Sequence, residues 1–177
     1  QWSTSAGDIA GDVRDWSDII HKSTGNRPNT LLVGADVWAV MINNSTLIDR
    51  IRYTQMGVLT TDLVAALLQL DQVIVADTVY ESADEGATSA MAYAIGDSTA
   101  TSPESGLLAY VNPSPSILQP SAGYTFNWTP YADSSGGALI KSFYMDQRAA
   151  DRVEAECYWD QKAVSTGCGL FFYNALA

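Results

Sequence analysis

This 177-residue sequence has one histidine, two cysteines, and nine basic side chains against twenty acidic ones. Each shortage removes a class of chemistry. With His21 alone, a metal site built on paired imidazoles is excluded. A serine or cysteine triad would have to borrow that histidine from the end of a helix, and no G-x-S-x-G elbow is present to meet it. Gly167-Cys168-Gly169 is only a superficial echo of a nucleophile turn. Cys157 and Cys168 are too few for a disulfide framework in a chain of this length and read as buried free thiols. A net charge of -11 repels a phosphate backbone and lacks the basic footprint of a nucleic-acid reader. No apolar run approaches the roughly 20 residues that span a bilayer, and no charged leader with an apolar stretch occurs near Gln1. Phosphate-cradling loops and calcium loops of the D-x-D-x-D-G type are missing too, so no cofactor and no metal is expected.

What remains is material for packing. The hydrophobic share of 47% and the charged share of 16% are those of an ordinary globular protein, large enough for one domain or two small lobes. Ile9, Val13, Trp16, Ile19 and Ile20 recur at helical spacing within Asp8 to Thr24. Acid loads the first half of that helix, His21 and Lys22 sit near its end, and Gly25 stops it, an order that suits the helix dipole. The plain reading of His21 is a residue that complements this dipole. Pro28 and Asn29 punctuate a turn before the short apolar run Leu31 to Val33, and Gly34 hands over to a helix through Val37, Trp38 and Met41. Ser45 to Tyr53 resumes helical spacing, and Thr60 or Thr61 caps a helix through Val64, Leu67 and Leu68.

Strands are expected at Val73 to Ala76, extended to Tyr80, then at Met91 to Ile95 and at Leu107 to Val111. Glu81 to Ser89 and Gly96 to Gly106 read as loops, and Asp133 to Gly137 as a turn. Tyr124, Phe126 and Trp128 alternate with polar residues, giving a strand with one aromatic face. Leu139 to Tyr144 is a further strand, Val153 to Asp160 alternates throughout, and Gly169 to Tyr173 is a buried strand. The sum is α+β, with about three helices and six or seven short strands.

Candidates for chemistry are thin. Glu154 and Glu156 share one strand face, and Asp71 and Asp77 flank another strand. A glycosidase needs two carboxyls about 5 to 10 Å apart, which no spacing here establishes, and a solvated face is the plain reading of Glu154 and Glu156. The Tyr124, Phe126 and Trp128 face suits stacking on sugars or, more commonly, packing against the core or a neighbouring subunit. Asn44-Ser45-Thr46 and Asn127-Trp128-Thr129 match the glycosylation sequon and read as chance matches.

Taken in order, several segments resemble the major capsid (coat) proteins of tailed bacteriophages, which share the Hong Kong-type or Johnson fold. They are the helix closing on Thr24-Gly25, Arg27 to Leu31 with Gly34 and Val37-Trp38, Ile48 to Tyr53, and Gly57 to Thr60 before Val73 to Asp77. Pro120 to Phe126 with Trp128-Thr129, Arg152 to Glu154, Asp160 to Lys162 and Gly169 to Ala175 complete the set. The resemblance implies a peripheral domain from residues 1–25 (a spine helix) and 138–166, and an axial domain from 26–137 with a return strand at 167–177. It also implies an N-terminal arm and an extended loop upstream, so the chain is expected to be N-terminally truncated. The Arg152 to Lys162 strand would return to the peripheral domain, and Glu81 to Ser89 and Gly96 to Gly106 would lie near a symmetry axis.

The function implied is a structural subunit, not an enzyme, that self-assembles through pentamers and hexamers into an icosahedral head around double-stranded DNA. Scaffolding or portal proteins would be further partners, with no sequence-specific nucleic-acid binding and no membrane. The expected location is the virion, and the bacterial cytoplasm before assembly. A shell poor in fixed cations would also leave packaged DNA free of its inner wall. A nanocompartment shell protein of the encapsulin kind is the same-fold alternative, and a hydrolase or carbohydrate-binding module the alternative of another class.

Overall fold

A computed structural model describes residues 2–3, 7–51, 59–95, 104–116, 118–128 and 138–176. The chain divides into two compact units, Gln1–Ala122 with Ser165–Ala177, and Gly123–Val164.

The first unit is organised by helix α1, Ile9–Thr24. The Asp8 carboxylate accepts from the Gly11 amide at its start, and Gly25 ends it in the left-handed conformation at φ 77°, its amide donating to the His21 carbonyl. Both ends therefore satisfy backbone groups that the helix itself leaves open. Ile9, Val13 and Ile20 are buried, whereas Ile19 is largely exposed, so the packed stripe follows the i, i+4, i+11 spacing of one helix face and leaves Ile19 outside it. Trp16 stacks on Phe172 at 4.7 Å between ring centroids, and Trp2 tilts against both rings. The Trp2 indole N–H donates to Asp12 at 2.9 Å and its amide donates to the Ala175 carbonyl. Residues distant in sequence thereby close one side of the core.

The centre of this unit is a four-stranded mixed sheet in the order β10-β5-β1-β2, made of β1 Thr30–Gly34, β2 Gln72–Ala76, β5 Gly106–Ala109 and β10 Gly169–Phe172. β1 runs parallel to β2, with Leu31 opposite Val73, and antiparallel to β5, with Leu31 opposite Leu108. A parallel pair needs a long crossover, and helices α2 Ala35–Met41, α3 Ser45–Ile51 and α4 Thr61–Leu68 lie along it. They contribute Val37, Met41, Leu47, Val64 and Leu68 to a core shared with Leu31, Val33 and Leu108. Each fully buried aliphatic side chain of this kind contributes about 1.5–3 kcal/mol. Thr60 caps α4 through its hydroxyl, which accepts from the Leu63 amide at 3.3 Å.

Several expectations need correction here. Asp77 to Tyr80 does not extend β2; a separate strand β3, Val79–Glu81, pairs with β4, Met91–Tyr93, in its own small sheet. β10 is only partly buried, because Phe171 and Tyr173 face solvent. The fold class is α+β as expected, but with more elements: four α-helices and ten strands among the described residues. Arg52 to Val58, most of the Gly96 to Gly106 loop, Thr129 and the Asp133 to Gly137 turn lie outside the described residues.

The second unit consists of two antiparallel pairs. β6 Gly123–Asn127 pairs with β9 Trp159–Ala163, and β7 Ala138–Met145 pairs with β8 Ala150–Cys157. The continuous alternation from Val153 to Asp160 is thus two strands that break at Tyr158 and take different partners, not the single Arg152 to Lys162 strand expected. The break is bonded: the Trp128 amide donates to the Tyr158 carbonyl at 3.0 Å.

Candidate functional site

The β7–β8 pair shows what the second unit offers. Directly opposed residues of an antiparallel pair share a face, and faces alternate along each strand. One face carries Leu139, Lys141, Phe143 and Met145 opposite Glu156, Glu154, Arg152 and Ala150. Lys141 reaches Glu156 at 3.3 Å, Arg152 reaches Glu154 at 2.6 Å, and the Arg152 guanidinium lies 5.7 Å from the centre of the Phe143 ring. These carboxylates are half-buried and ion-paired. The face expected to be solvated at Glu154 and Glu156 is therefore only partly so, because Lys141 and Arg152, themselves partly exposed, pair with both carboxylates on it. The opposite face, with Ile140, Ser142, Tyr144, Val153, Ala155 and Cys157, is the one in water: Ile140 is 71% exposed and Val153 68%. Cys157 is exposed and only Cys168 is buried, so one of the two expected buried thiols is not.

The β6–β9 pair carries aromatic rings on both faces, with Phe126 opposite Asp160 and Trp159 opposite Asn127. Phe126, Trp128, Tyr158 and Trp159 line a shallow concavity of about 460 Å³ together with Asn127, Cys157 and Asp160. Trp128 meets Tyr158 edge to face at 5.8 Å and is 56% exposed, and Trp159 is 58% exposed. Of the expected aromatic face, Phe126 and Trp128 are thus exposed, whereas Tyr124 is half-buried and meets Phe126 edge to face at 6.2 Å. Apolar and aromatic side chains in water at this density mark a surface that is covered by something else.

In the first unit, the Glu81 to Ser89 loop is a clamped turn. The Glu81 carboxylate accepts from the Ser89 hydroxyl, from the Ala90 amide at 2.6 Å and from the Ala83 amide at 3.1 Å. These bonds, the Ser89 hydroxyl foremost, hold the Glu81 carboxyl below the usual carboxylate range. Asn44 is buried; its side-chain oxygen accepts from the Thr46 and Leu47 amides at the start of α3, and its NH2 donates to the Gly7 carbonyl. The sequon at Asn44 therefore serves helix capping.

The candidate chemical residues stay apart. His21 lies in the last turn of α1, and Asp71 and Asp77 are exposed at opposite ends of β2. Among the described residues no group of three or more His, Cys, Asp or Glu is placed to hold a metal ion, and no helix is long and apolar enough to cross a membrane.

No protein-family model matches the chain. Its fold is that of a phage-related protein from Bordetella bronchiseptica RB50, known from a crystal structure, with a TM-score of 0.78 and 21% identity. That match covers 99% of this chain and 54% of the other. Over 78 residues, 44% of its length, the chain is also 31% identical to the major capsid protein of Burkholderia phage BcepMu. The chain spans a quarter (25%) of that curated relative. The similarity is thus to phage proteins, and by sequence to a structural one.

Proposed function

We propose that this chain is part of a structural subunit of a phage head, of the Hong Kong-type fold, working by association with copies of itself and without catalysis. The observation that carries the reading is the 31% identity to a phage major capsid protein. The exposed β7–β8 and β6–β9 faces support it, because a subunit of a closed shell needs repeated, self-complementary contacts more than a deep pocket. In this reading residues 1–25 and 138–166 belong to a peripheral domain, and 26–137 with 167–177 to an axial one. The two compact units cut the chain differently, one of them being Gly123–Val164. Pentamers and hexamers would close an icosahedral head around double-stranded DNA, with scaffolding or portal proteins as further partners. The protein would be found in the virion and, before assembly, in the bacterial cytoplasm.

Electron microscopy of the purified full-length protein tests this. Closed shells are expected, large and DNA-filled when made during phage growth. Small shells filled with a cargo protein would favour the encapsulin reading, and a full-length protein that stays monomeric at high concentration would sink both. A second reading rests on the Phe126, Trp128, Tyr158 and Trp159 concavity, whose rings and flanking Asn127 and Asp160 resemble a sugar-stacking platform. Saturable binding of soluble glycans, lost in Trp128→Ala, would favour it.

A further inference from the structure

The nine basic side chains of this acidic protein are not scattered evenly. Arg14 on α1, Arg27 in the turn before β1 and Arg50 on α3 line one cleft of about 130 Å³ with Ala10, Ser17, Pro28, Leu67, Leu68 and Gln69. No carboxylate is among its lining residues. Asp18 lies 3.6 Å from Arg27 and Asp8 3.5 Å from Arg50, each holding one guanidinium by a single contact. Each of these guanidiniums has five N–H donors, so most remain for a guest. Arg14 has no ion pair among the described residues. Ala10, Pro28, Leu67 and Leu68 add apolar atoms to a lining whose charge is wholly cationic. That combination fits a carboxylate carried on methylene groups, as in glutamate, better than a bare phosphate, which has no apolar stem to bury.

The same unit presents the complementary group. Two backbone bonds, Ser82 amide to Ala90 carbonyl and Ala87 amide to Asp84 carbonyl, shape the β3–β4 turn together with the Glu81 clamp. Held at its tip are Asp84 and Glu85, both exposed and with no ion pair among the described residues. A pre-shaped turn loses less conformational freedom on docking than a loose one.

We propose that the Arg14, Arg27 and Arg50 cleft of one copy receives the Asp84-Glu85 turn of a second copy. The proposal deepens the shell-subunit reading and rests on it. Cleft and turn are different patches of one unit, so the contact is heterologous and propagates head to tail, closing into a ring where the rotation permits. Charge pairing of this sort also selects the register between subunits, since a shifted copy would set acid against acid.

The test is a charge-reversal series in the full-length protein, with shells counted by electron microscopy and light scattering and folding checked by circular dichroism. Arg14→Glu and Glu85→Arg are each expected to raise the concentration needed for assembly about tenfold or more, and the two together to restore it toward the parent value. Arg14→Gln, a milder change at an exposed site, is expected to fall between. Assembly by the parent protein with both reversals silent overturns the contact while leaving the shell reading intact. Loss in Arg14→Glu with Glu85→Arg and Asp84→Arg unaffected overturns the turn as occupant. Failure of the parent protein to assemble overturns both readings.

Discussion

At the scale of single residues, side chains at element ends decide more here than any reactive group. Asn44 both caps α3 and ties its NH2 to the Gly7 and Trp2 carbonyls. Asn44→Ala removes acceptors from the Thr46 and Leu47 amides and a donor from the Trp2 and Gly7 carbonyls, so a loss of about 1–3 kcal/mol is expected in denaturant unfolding. Asn44→Asp keeps the cap and loses the donors, and should fall between; equal losses for both would show that the cap contributes nothing. Glu81 makes a pH-dependent prediction. Its carboxyl is held below the ordinary range by Ser89, Ala90 and Ala83, so the clamp is fully present above the unfolded carboxyl pKa and is lost as pH falls through the folded value. Amide exchange at Ala83 and Ala90, corrected for the intrinsic pH dependence, is expected to lose protection at acid pH, and Glu81→Gln to flatten that change. These end features were legible where the chemistry is local: Thr60 and Gly25 act within four residues of themselves, whereas Asp8, read as acid inside the helix, proves to be its cap. The Asn44 cap was hidden because its pattern also reads as a sequon, and burial alone decides between the two.

Among elements, the sequence told which residues share a face but not which face is covered. In β8 the alternation of Val153, Ala155 and Cys157 with Glu154 and Glu156 was plain, and apolar-inward was the natural assignment. The structure inverts it, because Lys141 and Arg152 supply cations across and along the pair, and the partner strand is not visible from β8 alone. The break at Tyr158 was illegible for a similar reason: alternation continues through it while the pairing partner changes. The cationic cleft was missed as well, since Arg14, Arg27 and Arg50 are brought together only by packing α3 and α4 on α1. Two substitutions separate packing from assembly. A Cβ at Gly106 would sit 2.3 Å from the Phe172 ring and 2.8 Å from the Leu32 carbonyl, so Gly106→Ala should destabilise the isolated chain by about 1–3 kcal/mol. Ile140→Ser with Val153→Ser, on the exposed face of β7–β8, should leave thermal unfolding of the isolated chain nearly unchanged and abolish shell formation by the full-length protein. A large drop in melting temperature would show instead that this face is covered within one chain.

For the whole molecule, the two units differ in what can hold each together. The first has Leu31, Val33, Val37, Leu47, Val64 and Leu108 fully buried around its sheet. In the second, every residue of β9 is exposed and most of β8 is too, and among the strand residues whose burial is described, 123–127, 139–145, 150–157 and 159–163, none is fully buried. A two-stranded pair with one wetted face is marginal in water, since few buried apolar contacts offset the entropy of ordering it. Amides of β1 and β5 can exchange only by nearly global opening, which in domains of this size costs about 5–15 kcal/mol, whereas β7 and β8 open locally at a small fraction of that. Hydrogen exchange of the unassembled chain is therefore expected to be at least about a hundredfold faster at Ile140, Ser142, Val153 and Ala155 than at Leu31, Val33 and Leu108. Assembly should slow the first group and leave the second unchanged, because only the first would gain a covering surface. Equal protection of both groups in the unassembled chain would mean that the second unit is stable by itself, and its exposed rings would then need a ligand, not another subunit, to account for them.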